Sequence, residues 1–299
     1  MKKIIRNKLL DLSDILESTS KKIRGAAFQV SNVKPITLSD CEKIRWKGIK
    51  VVFVLSTGRT GTQLLNKLLS LSPDAYALHE PKPELIRSSK RAYEEIFMRP
   101  EIFEEVFKSA REELIVKALQ FNKIFIETNN RITFFAPVIP KIFPDALFIH
   151  LVRHPGDFVR SGIRRKWYSG EHEHDVGRIV PVKGEVKEKW GKLTQIEKIG
   201  WLWNETNQFI ENLKGQYIDK NRILFVKAES LFKDPLVTQK IYDFIGLTGF
   251  DEKQISKIIK RPINVQKKGE FPEYSDWTEK MKDELKRMVP LAKKYNYEL

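Results

Sequence analysis

The chain has 299 residues, 41% hydrophobic and 31% charged, with a net charge of +15. That is an ordinary globular mixture, long enough for one large α/β domain or two average ones. Cys41 is the single cysteine, which excludes an intramolecular disulfide, and no apolar run approaches the roughly 20 residues that cross a bilayer.

The first fifty residues carry twelve Lys/Arg against five Asp/Glu. Ile and Leu at 4, 5, 9, 10, 12, 15 and 16, flanked by lysines, predict a basic amphipathic helix. Such a helix can lie on an anionic membrane surface or pack on its own domain. The expectation is that residues 1–47 form a basic helical extension packed on the domain, with 48–299 as a single domain. The segment Met1-Lys2-Lys3-Ile4-Ile5-Arg6 lacks the long apolar core of a signal peptide, so a cytoplasmic placement is expected, with peripheral membrane contact as a variant.

An apolar, β-branched run, Val51-Val52-Phe53-Val54-Leu55, then stops at a turn, Ser56-Thr57-Gly58-Arg59-Thr60-Gly61. Leucines at 64, 65, 68, 69 and 71 follow at helical spacing. A buried strand, a tight loop and a helix in that order make an anion cradle. The first helical N–H groups lack partners, and the helix dipole adds positive potential. Gly58 and Gly61 let the backbone approach a bulky anion. Arg59 and the hydroxyls of Thr57, Thr60 and Thr62 supply further donors. The loop is not a Walker A motif: its two glycines are too close and no lysine follows the second.

Beyond Pro73, Ala75–Leu78 reads as a short strand, and 83–119 as helices broken at Pro100. Strands are expected at 123–127, 146–152 and 222–226, and interrupted helix over 131–143. Further helices are expected from Pro155 to about Trp167, over about 188–214, up to Ile245, and up to about Tyr295. The stretches 169–185 and 263–278 read as irregular. Continuous apolar strands alternating with helices predict an α/β fold: a parallel sheet covered on both faces, with ligands at the carboxyl ends of its strands. The first loop, Glu80, Glu127, Arg153 and Lys227 lie at or just after such ends, so they are expected to converge on one crevice.

The run Leu147-Phe148-Ile149-His150-Leu151-Val152-Arg153 ends a strand in an arginine. A helix begins at Pro155 and carries Ser161 about two turns in. The Arg153 guanidinium is a planar fork suited to a phosphate monoester. Together the two motifs resemble those of sulfotransferases that use 3′-phosphoadenosine 5′-phosphosulfate (PAPS). In that family a 5′-phosphosulfate loop follows the first strand, and Arg59-Thr60-Gly61-Thr62 fits it, with Gln63 at its last, looser place. A strand-ending arginine and a serine eight residues later bind the 3′-phosphate, as at 153 and 161. Gln266-Lys267-Lys268-Gly269 resembles the family's late Arg-Lys-Gly loop, with lysine in place of arginine at 267, which carries Lys268 and Gly269 over to the 3′-phosphate. The strand running into Lys227-Ala228-Glu229 resembles the family's Tyr-Glu-Asp stretch, but Ala228 stands where tyrosine often lies near the adenine. Trp201 and Trp203 read as core residues, with stacking on the adenine as the alternative.

The resemblance implies a three-layer, P-loop nucleotide-hydrolase-like sulfotransferase fold, and transfer of a sulfuryl group from PAPS to a hydroxyl of a carbohydrate, glycolipid or other small acceptor. The product is 3′,5′-ADP and no metal is required. Thr57 to Gln63, Arg153, Ser161, Lys268 and Gly269 are the implied donor-binding residues. Arg59 is assigned to the bridging and sulfuryl oxygens. Glu80, in Leu78-His79-Glu80-Pro81, is the first choice of general base and His79 the second. Asn129 and Asn130 line the acceptor side or serve as turn residues. Glu171-His172-Glu173-His174-Asp175 reads as a charged loop rather than a metal site. No nucleic-acid partner is expected. The other readings are a small-molecule kinase with a degenerate phosphate loop and a non-catalytic polyanion binder driven by the positive charge.

Overall fold

The computed structural model describes residues 49–171, 173–260 and 270–299, and single helical positions between 12 and 26. The N-terminal extension therefore lies mostly outside the described residues. Of its described positions, Leu12, Ile15, Leu16 and Ile23 are exposed. Lys268 and Gly269 also lie outside the described residues, as do His172 and the side chains at 173 and 174.

Five apolar runs form one parallel sheet: β1 (Val51–Leu55), β2 (Ala75–His79), β3 (Ile124–Thr128), β4 (Leu147–Val152) and β5 (Ile223–Lys227), in the order β2-β3-β1-β4-β5. Every residue of β1 is buried, as its unbroken β-branched run requires of a central strand. Side chains alternate between the two faces. Phe53, Phe125 and Phe148 enter one apolar core, while Val52, Val54, Ile126 and Ile149 enter the other.

The connecting helices are α1 (Thr62–Leu69), α2 (Ile86–Glu95), α3 (Pro100–Gln120), α4 (Ile139–Ile142), α5 (Pro155–Ile163), α6 (Glu185–Lys189), α7 (Gln195–Leu213), α8 (Ala228–Leu231), α9 (Pro235–Ile245), α10 (Glu252–Ile259), α11 (Glu279–Met288) and α12 (Leu291–Lys294). Leu64, Leu65 and Leu68 of α1 pack with Ile241 of α9 and Ile255 of α10 on one face. Phe107 of α3 and Ile199 and Trp203 of α7 cover the other. This is the expected three-layer α/β architecture.

Three local readings are refined. The helix expected from about 188 starts at Gln195, because Thr194 and Glu197 form a capping box that fixes its first turn. The stretch 131–143 resolves into a 3₁₀ turn, Asn130–Phe135, and the short α4. Helix α10 was not anticipated; Asp251 caps it by accepting from the Gln254 N–H. No helix among the described residues is long and apolar enough to cross a membrane.

Candidate active site

β1 lies at the centre of the sheet. The chain runs to one side for β2 and β3 and to the other for β4 and β5. The strand order thus reverses beside β1, which opens a crevice at the carboxyl ends of the strands. A crevice of about 800 Å³ lies there, lined by Thr57, Gly58, Arg59, Gly61, Thr62 and Gln63 of the first loop, by His79 and Glu80, and by Arg153 and Ser161. Sequence-distant candidates therefore meet in one place.

The first loop is shaped by its backbone. Gly58, Arg59 and Gly61 all have positive φ, at 78°, 55° and 92°. Gly61 is the N-cap of α1 and makes no side-chain cap bond, and the first turn carries no acidic residue. The opening N–H groups of α1 therefore keep their donor capacity for an anion. A Cβ on Gly61 would lie 2.4 Å from Cε1 of Phe232. Gly61→Ala is expected to cost about 1–3 kcal/mol through overpacking, with the positive φ adding strain. A thermal or urea melt of the variant checks this, and an unchanged midpoint would contradict the described packing.

Arg153 reaches across to this loop. Its Nη1 donates to the Arg59 carbonyl at 3.2 Å, and its Nη2 lies 3.4 Å from Asp157 Oδ2. Arg153 Nε, Arg59 Nε and Thr60 Oγ1 are buried without a protein partner. Buried polar atoms are nearly always hydrogen-bonded, so these three donors are exceptions, and the two arginines among them line the crevice. Ser161 Oγ accepts from Arg165 Nη1 at 2.9 Å. Burial, then the charges of Arg59, Arg164 and Arg153, hold the Arg165 guanidinium down to about 10. Burial, then Arg153, likewise lowers Arg59, with Glu80 opposing. Crowded like charges of this kind are relieved by a polyanionic ligand.

His79 Nδ1 lies 2.8 Å from the Thr128 carbonyl, which can only accept. The proton of the neutral ring is thereby placed on Nδ1 and the lone pair on Nε2. Glu80 follows at positive φ, 43°, with Arg131 Nη1 3.9 Å from its carboxylate. Arg131 is closer to Glu84, at 3.4 Å.

Three of the residues expected at the crevice do not line it: Thr60, which is fully buried, Glu127 and Lys227. Glu127 is fully buried and paired with Arg111, through Nε to Oε2 at 2.6 Å and Nη2 to Oε1 at 2.8 Å. It sits opposite Phe53 and Leu78 in the sheet and shares the face of Phe125, so its side chain enters the helical layer. Lys227 lies over the Tyr297 ring instead. Asn129 is buried, donating to Glu127 and accepting from the Arg131 N–H, whereas Asn130 does line the crevice. Trp203 is fully buried and donates to the Arg153 carbonyl; neither Trp203 nor Trp201 lines the crevice. Among the described residues no group of three or more His, Cys, Asp or Glu side chains is placed to hold a metal ion.

Several lining residues were missed. Phe232 lies against Gly61, with the Arg153 guanidinium 5.9 Å from its ring centroid. Arg165 stands four residues after Ser161, a spacing that puts both on one helix face and could have been read from the sequence. Arg131 and Arg178 are brought in by tertiary packing; the Arg178 guanidinium lies 4.0 Å from the Trp167 ring centroid.

Residues 51–252 match the Sulfotransferase family. No curated protein matches the chain. Among solved structures it is similar to the sulfotransferase domain from the Synechococcus PCC 7002 olefin synthase, with 20% identity, 85% of this chain and 97% of that chain covered, and a TM-score of 0.48. It is similar also to the sulfotransferase domain from the curacin biosynthetic pathway, with 15% identity, coverage of 85% and 99%, and a TM-score of 0.49. A sulfotransferase from Alicyclobacillus acidocaldarius matches at 16% identity, with coverage of 83% and 96% and a TM-score of 0.48.

Proposed function

This chain belongs to the sulfotransferase family, and we propose that it moves a sulfuryl group from PAPS to a hydroxyl of a small-molecule or glycan acceptor. The observation that carries this reading is the pair of buried, unpartnered donors on one crevice, Arg153 Nε and Arg59 Nε. When bound, PAPS supplies an activated sulfuryl group whose transfer leaves 3′,5′-ADP.

The chain's own residues then have distinct tasks. The amides of Thr60 to Gln63 and the Thr60 and Thr62 hydroxyls hold the 5′-phosphate. Arg59 neutralises charge at the bridging and sulfuryl oxygens, where a preorganised cation is most effective. Arg153 and Ser161 bind the 3′-phosphate, and Arg165, bonded to Ser161, adds charge beside it. Phe232 takes the aromatic position beside the adenine that Ala228 cannot fill. His79 Nε2 accepts the proton of the attacking hydroxyl, because its Nδ1 proton is committed to Thr128. Glu80, beside Arg131, balances charge near the acceptor. Ile86, Phe134, Trp167 and Leu202 wall the acceptor side.

Thermal stabilisation by 3′,5′-ADP, compared with 5′-AMP and ATP, tests the reading. A ligand at 100 times its dissociation constant adds about 2.7 kcal/mol to stability. Selective stabilisation by 3′,5′-ADP is expected. Arg153→Ala is expected to weaken 3′,5′-ADP by about 10- to 150-fold, the worth of a hydrogen bond to a charged group, and to leave 5′-AMP nearly unchanged. A preference for ATP would favour a small-molecule kinase. Salt-sensitive binding to any polyanion, without nucleotide preference, would favour a non-catalytic polyanion binder.

A further inference from the structure

The turn that carries Arg153 is held by residues that do not line the crevice. The Arg153 carbonyl accepts from Trp203 Nε1 at 2.9 Å. The next backbone N–H, that of His154, donates to Glu229 Oε1 at 2.8 Å. The second oxygen of the same carboxylate accepts from the Tyr297 hydroxyl at 2.8 Å. That hydroxyl also lies 3.4 Å from the Val152 carbonyl. The His154 ring packs edge-on against Tyr297, with centroids 5.3 Å apart, and its Nε2–H donates to the Glu298 carbonyl at 3.0 Å.

Val152 and Lys227 are partners in the sheet, so the ends of β4 and β5 lie side by side. Glu229, in the first turn of α8, therefore faces the backbone just beyond Arg153. Tyr297 arrives from the far end of the chain and closes the carboxylate's second oxygen. Burial, then the Glu229 carboxylate, pushes the Tyr297 phenol well above its usual range, so it remains a donor.

We infer that Glu229 and Tyr297 are positioning residues for Arg153, a strut that sets the site's discrimination for a 3′-phosphate without touching the ligand. The inference rests on the donor-site reading proposed above. Arg153 divides its fork between the Arg59 carbonyl and Asp157, which leaves Nε for the ligand. Such a constellation works only if held within about 0.5 Å and 10–20° of its productive geometry. A long side chain amplifies any tilt of the backbone that carries it. Glu229 holds the N–H of the peptide group that follows Arg153, Trp203 holds its carbonyl, and Tyr297 fixes the Glu229 carboxylate in place. Outer partners of this kind change affinity by about 10–100-fold in metal sites, and a neutral hydrogen bond in a protein is worth about 2- to 13-fold.

The test is calorimetric titration of 3′,5′-ADP and of 5′-AMP into the wild-type chain and three variants. Tyr297→Phe is expected to weaken 3′,5′-ADP about 3- to 10-fold and Glu229→Ala about 10- to 100-fold, with 5′-AMP held within about two-fold in both. Glu229→Gln, which keeps an oxygen for the His154 N–H, is expected to recover most of the loss. A merely structural role would move both nucleotides together, and that result would overturn the strut, as would no loss for either nucleotide. If Glu229→Ala does not fold, Tyr297→Phe carries the test, since it removes one hydroxyl. A wild-type chain that binds 3′,5′-ADP no better than 5′-AMP would instead remove the donor-site reading and the strut with it.

Discussion

Replacing His79 by alanine is expected to lower turnover by about 10²–10⁴-fold, the range of a positioned general base, while 3′,5′-ADP binding stays within about two-fold. Three features combine in this expectation. His79 ends β2 and lines the crevice beside the phosphate loop. Its Nδ1 is fastened to the Thr128 carbonyl at 2.8 Å, with the Thr128 hydroxyl at 3.1 Å. The free Nε2 is then the atom able to take a proton. Glu80 is the rival, but its side chain is 39% exposed and its carboxylate lies 3.9 Å from Arg131 Nη1, which suits it to charge balance. Glu80→Gln is expected to cost less than about ten-fold. Transfer of labelled sulfuryl groups to an accepted hydroxyl measures both variants. If Glu80→Gln falls as far as His79→Ala is expected to, with nucleotide binding intact, the base is Glu80.

Glu127→Ala is expected to destabilise the fold by about 3–5 kcal/mol, because it strands the Arg111 charge in the core. Both side chains are fully buried. Arg111 also donates to the Pro83 carbonyl at 3.1 Å, and Glu127 accepts from Asn129 at 2.9 Å. The pair thus ties α3 to the loop after β2 and to the turn after β3, the two segments that present Glu80 and Arg131. At about 2–4 °C per kcal/mol for domains of 150–250 residues, the thermal midpoint should drop by roughly 10 °C. The double replacement Arg111→Met with Glu127→Leu removes both charges and is expected to recover most of that loss. A midpoint unchanged in Glu127→Ala would mean that the pair is not formed as described.

Much of the architecture was legible because it rests on local signals. The unbroken apolar run 51–55, stopped by a glycine-bearing turn, read as a buried strand, and the strand order then put it at the centre of the sheet. Proline at 155 marked one helix start and the leucine spacing from 64 marked another, and both helices are seen. The capping box at Thr194 and Glu197 was also legible, but the charged, helix-favouring residues before it blurred the boundary. Glu127 shows a different limit. Its place near a strand end suggested the crevice, yet strand alternation puts it on the face of Phe125, and only a partner from α3 makes a buried carboxylate tolerable there.

By itself the sequence determined the parallel α/β class, the glycine-bearing turn between β1 and α1 and the spacing of Arg153 and Ser161. Each depends on residues close together in the chain, where steric and hydrogen-bonding rules act directly. Tertiary structure alone decided the tautomer of His79, the place of Phe232 under Arg153, the burial of Glu127 and the hold of Tyr297 on the Arg153 turn. Those depend on groups from 16 to 145 residues apart, brought together by strand order and packing, about which local propensity carries no information.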